Sequence, residues 1–142
     1  MRFLDANVFI YAFYRPTRKL NADKDKKAMK DDSKRIIRRI NDGIEEVATT
    51  VVHLSEVSNI LKRALPPEDV VSILITLYSL DNVKILDVTK EDYFGAMELA
   101  EETGLDPNDS LAVQVIRREN IDEIYSFDKG FDGVKGIKRV FS

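Results

Sequence analysis

Five short segments with strand character, at residues 2–5, 46–50, 83–88, 123–127 and 138–141, are separated by stretches with the apolar period of amphipathic helices. That alternation narrows the fold more than any other feature of the chain. Strands joined through helices pair in parallel by right-handed crossovers, and a sheet built that way needs helices on both faces. The expected fold is therefore α/β: a three-layer α/β/α sandwich with a mostly parallel central sheet, in one domain over residues 1–142. Helices are expected at 7–14, 31–41, 51–65, 68–80, 89–103 and 107–119. Thr89 with Asp92 three residues on reads as an N-terminal cap, and Gly104 as a stop. Asp106-Pro107 opens the next helix with proline at its first position. Residues 15–30 carry many charges and few apolar side chains, so they are expected to form an exposed excursion.

Composition removes several function classes. The chain has no cysteine, which excludes disulfides, thiolate metal sites and cysteine nucleophiles. The apolar stretch at 70–80 is shorter than the roughly 20 residues a membrane span needs. No secretory cleavage pattern follows the apolar start, so a cytoplasmic protein without a membrane role is expected. The net charge of −3 is unevenly spread. Between Arg15 and Arg39 lie 11 Lys and Arg against 4 Asp, a local +7 that leaves −10 for the rest. A basic ridge beside an acidic pocket suits a polyanion held near a cation, although the same charges would serve as an ordinary solvated face.

In parallel sheets, ligands bind beyond the carboxyl ends of the strands, where the strand order reverses. Four acids fall there: Asp5 ends the first strand, Asp128 follows a late one, Glu56 lies early in the helix after the second strand, and Asp109 is in a helical first turn. Each has an everyday alternative. Asp5 could cap the first helix, Glu56 could face solvent, Asp128 suits a turn, and Asp106 has the spacing of a cap. Converging carboxylates repel unless some protonate or a cation joins them. Oxygen-only donors favour Mg²⁺ or Mn²⁺, one ion or two. The single histidine, His53, is expected to be structural or on the surface.

The order of these acids resembles the PIN-domain nucleases, and the match spans nearly the whole chain. The opening motif is Phe3-Leu4-Asp5-Ala6-Asn7-Val8-Phe9, and the second acid is Glu56, six residues after Thr50. The third is Asn108-Asp109-Ser110-Leu111-Ala112, and the closing motif is Tyr125-Ser126-Phe127-Asp128-Lys129-Gly130-Phe131. The resemblance implies a PIN-like fold and metal ligation by Asp5, Asp109 and Asp128, with Glu56 direct or through water. It implies that Asn7 and Ser126 orient these carboxylates, and Asp132 is a further candidate acid. The implied reaction is hydrolysis of RNA by water activated at the ion, leaving 5′-phosphate and 3′-hydroxyl ends. Arg15, Arg18 and Lys19 are the expected contacts to the RNA backbone. Small free-standing members are most often VapC-type toxins silenced by an antitoxin, and they usually form homodimers. Processing of stable RNA, or a binding module without catalysis, are the alternatives. Gln114 departs from the family's preference for small residues in its helix.

Two other Asp-first families fit less well. A haloacid-dehalogenase-like phosphatase wants an Asp where this chain has Asn7, and a receiver domain wants a leading acid pair that is missing.

Overall fold

A computed structural model describes residues 1–13 and 24–141. Five strands, β1 (Arg2–Leu4), β2 (Val47–Thr50), β3 (Val83–Leu86), β4 (Glu123–Tyr125) and β5 (Lys138–Val140), form one sheet in the order β3-β2-β1-β4-β5. Every neighbouring pair is parallel. The helices are α1 (Asn7–Ala12), α2 (Lys24–Asn41), α3 (Val51–Leu61), α4 (Pro67–Ser79), α5 (Lys90–Thr103) and α6 (Pro107–Arg118). The chain builds the sheet outward from β1, first to β2 and β3, then on the other side to β4 and β5. The reversal falls between β1 and β4, so their carboxyl ends form the crevice.

Successive side chains of a strand point to opposite faces, and here both faces are covered. Leu4 and Val47 pack with Phe9, Ile36, Val57 and Leu77 from α1 to α4. Their neighbours Phe3 and Ala48 pack on the other face with Ala96, Leu111, Val115 and Ile116 from α5 and α6. The result is the three-layer α/β/α sandwich, with an entirely parallel sheet. Among the described residues no helix is long and apolar enough to cross a membrane.

Local signals set most helix ends. Thr89 and Asp92 form a reciprocal capping box, and Gly104 closes α5 at φ +76°, a conformation glycine adopts without strain. Asp106 caps α6 through the Asp109 amide at 2.8 Å. Gln114 on α6 is accommodated because α5 offers Gly95 opposite it, where a Cβ would come within 3.3 Å of its amide nitrogen.

Several bounds differ from the expected ones: α3 ends at Leu61 rather than 65, α1 at Ala12 rather than 14, β1, β3 and β4 end one or two residues early, and α2 starts upstream. Residues 24–30 belong to α2 rather than to an excursion, because Met29 and Ser33 extend the inward stripe of Ile36 and Ile40 upstream. The Lys, Ala and Met residues there are also good helix formers. An element not expected from the sequence is a 3₁₀ turn, Lys129–Gly133, whose Phe131 is buried in the same core cluster as Ile124 of β4.

Candidate active site

Asp5 leaves β1 at the crevice and is 5% exposed. Its amide donates to the Tyr125 carbonyl at 3.0 Å, which continues the β1–β4 ladder past the strand end. The cap of α1 is Ala6, with no side-chain capping bond, so Asp5 is not there to cap a helix. Its carboxylate instead accepts the Ser126 hydroxyl proton at 2.7 Å. A serine oxygen donates once and accepts twice. Here it accepts from the Asn7 amide at 3.2 Å and from the Asp128 backbone N–H at 3.0 Å. Asn7 Oδ1 in turn accepts from the Phe127 N–H at 3.3 Å. Ser126 and Asn7 thus lock the loops after β1 and β4 together around Asp5. Asp128 also accepts from the Gly130 amide at 2.8 Å, so its turn role and its place in the crevice coexist.

The other acids arrive from the helices. Asp109, in the first turn of α6, is hydrogen-bonded to Asp128 and feels the charges of Asp5 and Asp106. Glu56 on α3 is half-buried, and its Oε1 accepts from the Asn108 side-chain amide at 2.9 Å. Its charge also reaches Asp5. Asp106 is a cap as expected, yet its charge bears on Glu56 and Asp109 as well.

Burial and mutual repulsion dominate the electrostatics. Burial pushes the Asp5 carboxyl up to about 6, against the opposing pull of the Ser126 hydroxyl. Asp109 is pushed up to about 8, first by burial and then by the charges of Asp5, Asp106 and Asp128. Burial raises Glu56 too. Among the described residues, none of these acids has a Lys or Arg partner. Oxygen donors that repel one another and lack a basic partner fit a hard divalent ion in chemistry. In this arrangement no three Asp, Glu or His side chains among the described residues are positioned to hold an ion together.

Sequence reasoning missed one residue of the crevice, Asn108, whose contact with Glu56 joins positions 52 apart in the chain. His53 is buried and neutral, with burial pushing its pKa down to about 4. Asp132 turns away from the cluster to Arg139, at 2.8 and 3.1 Å. Arg15, Arg18 and Lys19 lie outside the described residues.

The architecture is shared with toxins of known structure. Mycobacterium tuberculosis VapC20, described as a toxin that cleaves the sarcin-ricin loop, aligns with a TM-score of 0.70 at 18% identity, over 97% of this chain and 99% of its own. A toxin–antitoxin complex from Klebsiella pneumoniae aligns at 0.64 and 14% identity, over 97% and 96%. VapBC2 from Rickettsia felis, bound to a DNA fragment from its promoter, aligns at 0.60 and 18% identity, over 98% and 96%. These likenesses are to the fold. No curated protein matches the sequence. The PIN domain family model matches residues 2–137, so this chain belongs to the PIN-domain family.

Proposed function

We propose that the chain is a VapC-like endoribonuclease of the cytoplasm that hydrolyses RNA with one or two Mg²⁺ or Mn²⁺ ions. Asp5, Glu56, Asp109 and Asp128 would hold the metal. The observation that carries this reading is the pair Asp5 and Asp109. Both are held at the β1/β4 crevice, pushed up to about 6 and about 8, with no basic partner among the described residues. A structural acid in such surroundings would gain an arginine or be replaced by an amide. These carboxylates instead keep an affinity for positive charge.

A divalent ion, when bound, supplies an activated water and offsets charge on the phosphoryl oxygens. The protein's own groups do the rest. Asp109, largely protonated near neutral pH without a cation, gives up its proton as positive charge arrives. Ser126 holds Asp5 Oδ2 in one orientation, and Asn7 fixes Ser126 and the Phe127 amide, so the two loops keep their spacing. The RNA backbone would be gripped by the basic 15–39 region, including Arg15, Arg18 and Lys19.

The toxin reading draws on the three likenesses above, and an antitoxin that covers the acidic crevice is the partner it implies. An apolar contact face exists on α4. Val71, Ile75 and Tyr78 lie one turn apart and are 54%, 59% and 69% exposed. That stripe is the proposed homodimer surface.

Cleavage of a mixed RNA pool with Mn²⁺ or with chelator tests the activity. Cutting should require the ion and leave 5′-phosphate ends. Asp5→Asn and Asp109→Asn should each lose about a thousandfold in rate, the equivalent of several kcal/mol of charge stabilisation. Equal cutting by parent and variants would sink the assignment. Growth arrest on expression, relieved by a neighbouring gene product, separates a toxin from an RNA-processing enzyme.

A further inference from the structure

We propose that Asn108 is a positioning residue that holds the Glu56 carboxylate at the mouth of the crevice, and that Tyr93 and His53 hold Asn108 in turn. The proposal rests on the metal-dependent nuclease reading above.

Asn108 is fixed from three directions. Its Nδ2 donates to Glu56 Oε1 at 2.9 Å. Its Oδ1 accepts the Tyr93 hydroxyl of α5. Its backbone carbonyl faces His53 Nε2 at 3.1 Å. A carbonyl can only accept, so Nε2 carries the imidazole proton, and Nδ1 accepts from the Thr50 hydroxyl at 2.7 Å. The neutral ring that this needs is the form burial enforces. Glu56, when ionised, accepts only, which fixes the amide nitrogen towards it and the amide oxygen towards the phenol. The residue therefore ties the end of β2, α3, α5 and α6 to one carboxylate. Asn108 is not needed as a helix cap, because Asp106 already fills that role.

The chemistry of the amide matters. A lysine or arginine at this place would pair with Glu56 and cancel the charge a cation needs. A neutral amide fixes Oε1 without cancelling anything and leaves Oε2 without a protein hydrogen bond among the described residues. Groups that orient a ligating carboxylate in this manner are typically worth 10–100-fold in metal affinity.

The test measures Mn²⁺ affinity by titration calorimetry, RNA cleavage and melting temperature for Asn108→Ala, Tyr93→Phe and the double variant. Asn108→Ala should weaken Mn²⁺ about tenfold or more. Tyr93→Phe removes a single neutral hydrogen bond one step from Glu56 and should weaken it about fivefold. Because Tyr93 acts through Asn108, the double variant should be no worse than Asn108→Ala alone. Additive losses, or a lowered melting temperature with Mn²⁺ affinity unchanged, overturn the proposal and make Asn108 a packing residue. If Asn108→Ala does not fold, Tyr93→Phe decides, and parental Mn²⁺ affinity in that variant overturns it. A parent that binds Mn²⁺ and cuts RNA beside variants that match it removes this proposal alone. A parent that does neither removes the nuclease reading and this proposal together.

Discussion

The two ends of the same sheet treat charge in opposite ways. Near the amino ends of β1 and β4, Arg2 donates to Glu45 at 2.8 Å, to the Tyr125 hydroxyl at 2.6 Å and to Glu123 at 3.3 Å. Arg39 from α2 reaches the same hydroxyl at 3.2 Å and Glu45 at 3.6 Å. Two arginines thus meet two carboxylates and a phenol, and the group clips α2, β1 and β4 together. At the carboxyl ends, Asp5, Glu56, Asp109 and Asp128 share a crevice and make no ion pair with an arginine among the described residues. The first cluster is electrically complete in the apo chain. The second holds carboxylates that repel one another, with no ion pair to Lys or Arg among the described residues. Under the proposed function that difference separates a structural charge cluster from a working one.

Substitutions at the two ends should change stability with opposite sign. Arg2→Ala removes the donor to Glu123 and one of the donors to Glu45 and to the Tyr125 hydroxyl, which keep Arg39. It should lower stability by about 2 kcal/mol, with RNA cleavage retained. Asp109→Asn removes a repelled carboxylate and should stabilise the metal-free protein near neutral pH. The pH dependence follows from the same shift. The Asp109 pKa is raised in the folded state to about 8. Its favourable contribution is therefore full below the unfolded value and is lost as pH rises through about 8. In chelator, the parent should lose stability across that window relative to Asp109→Asn, and added Mn²⁺ should restore it. Denaturant titrations at a series of pH values measure this. A parent that gains stability relative to Asp109→Asn over the same range would mean that the crevice acids are already paired.

Ser126→Ala sharpens the contrast at one atom. Its hydroxyl, with the Ala6 backbone amide as the lesser partner, pulls the Asp5 pKa down against burial. Without it, Asp5 should ionise above about 6, and Mn²⁺ affinity near neutral pH should fall about tenfold. Raising the pH should recover part of the loss, because ionisation is restored while orientation is not. A loss that stays constant with pH would assign Ser126 to orientation alone.

How much of this was legible in the sequence depended on range. The Asp106 cap and the Thr89–Asp92 box lie within one helical turn, so spacing reveals them. The convergence of Asp5, Glu56, Asp109 and Asp128 was readable because strand ends in a parallel sheet meet at a predictable edge. The upstream start of α2 was obscured because its charged outer face hides a sparse inner stripe. Asn108 was invisible beside Asp109, since its partners Glu56 and Tyr93 sit on other helices. For the same reason nothing local distinguishes Glu45, which meets an arginine 43 residues away, from Glu56, which meets none among the described residues.

Asp132 sets the lower limit of the comparison. It follows Asp128 by one 3₁₀ turn and would count as a fifth site acid by position in the sequence. Its carboxylate is exposed and held by both nitrogens of the Arg139 fork, which keeps its pKa below the ordinary value. It therefore behaves like the paired end of the sheet while lying near the unpaired one. Exposed pairs of this kind contribute little, so Asp132→Asn should change cleavage and Mn²⁺ affinity by less than about twofold. A tenfold fall in Mn²⁺ affinity would show instead that Asp132 leaves Arg139 when the ion arrives, and that a basic partner in the apo chain does not disqualify an acid from the site.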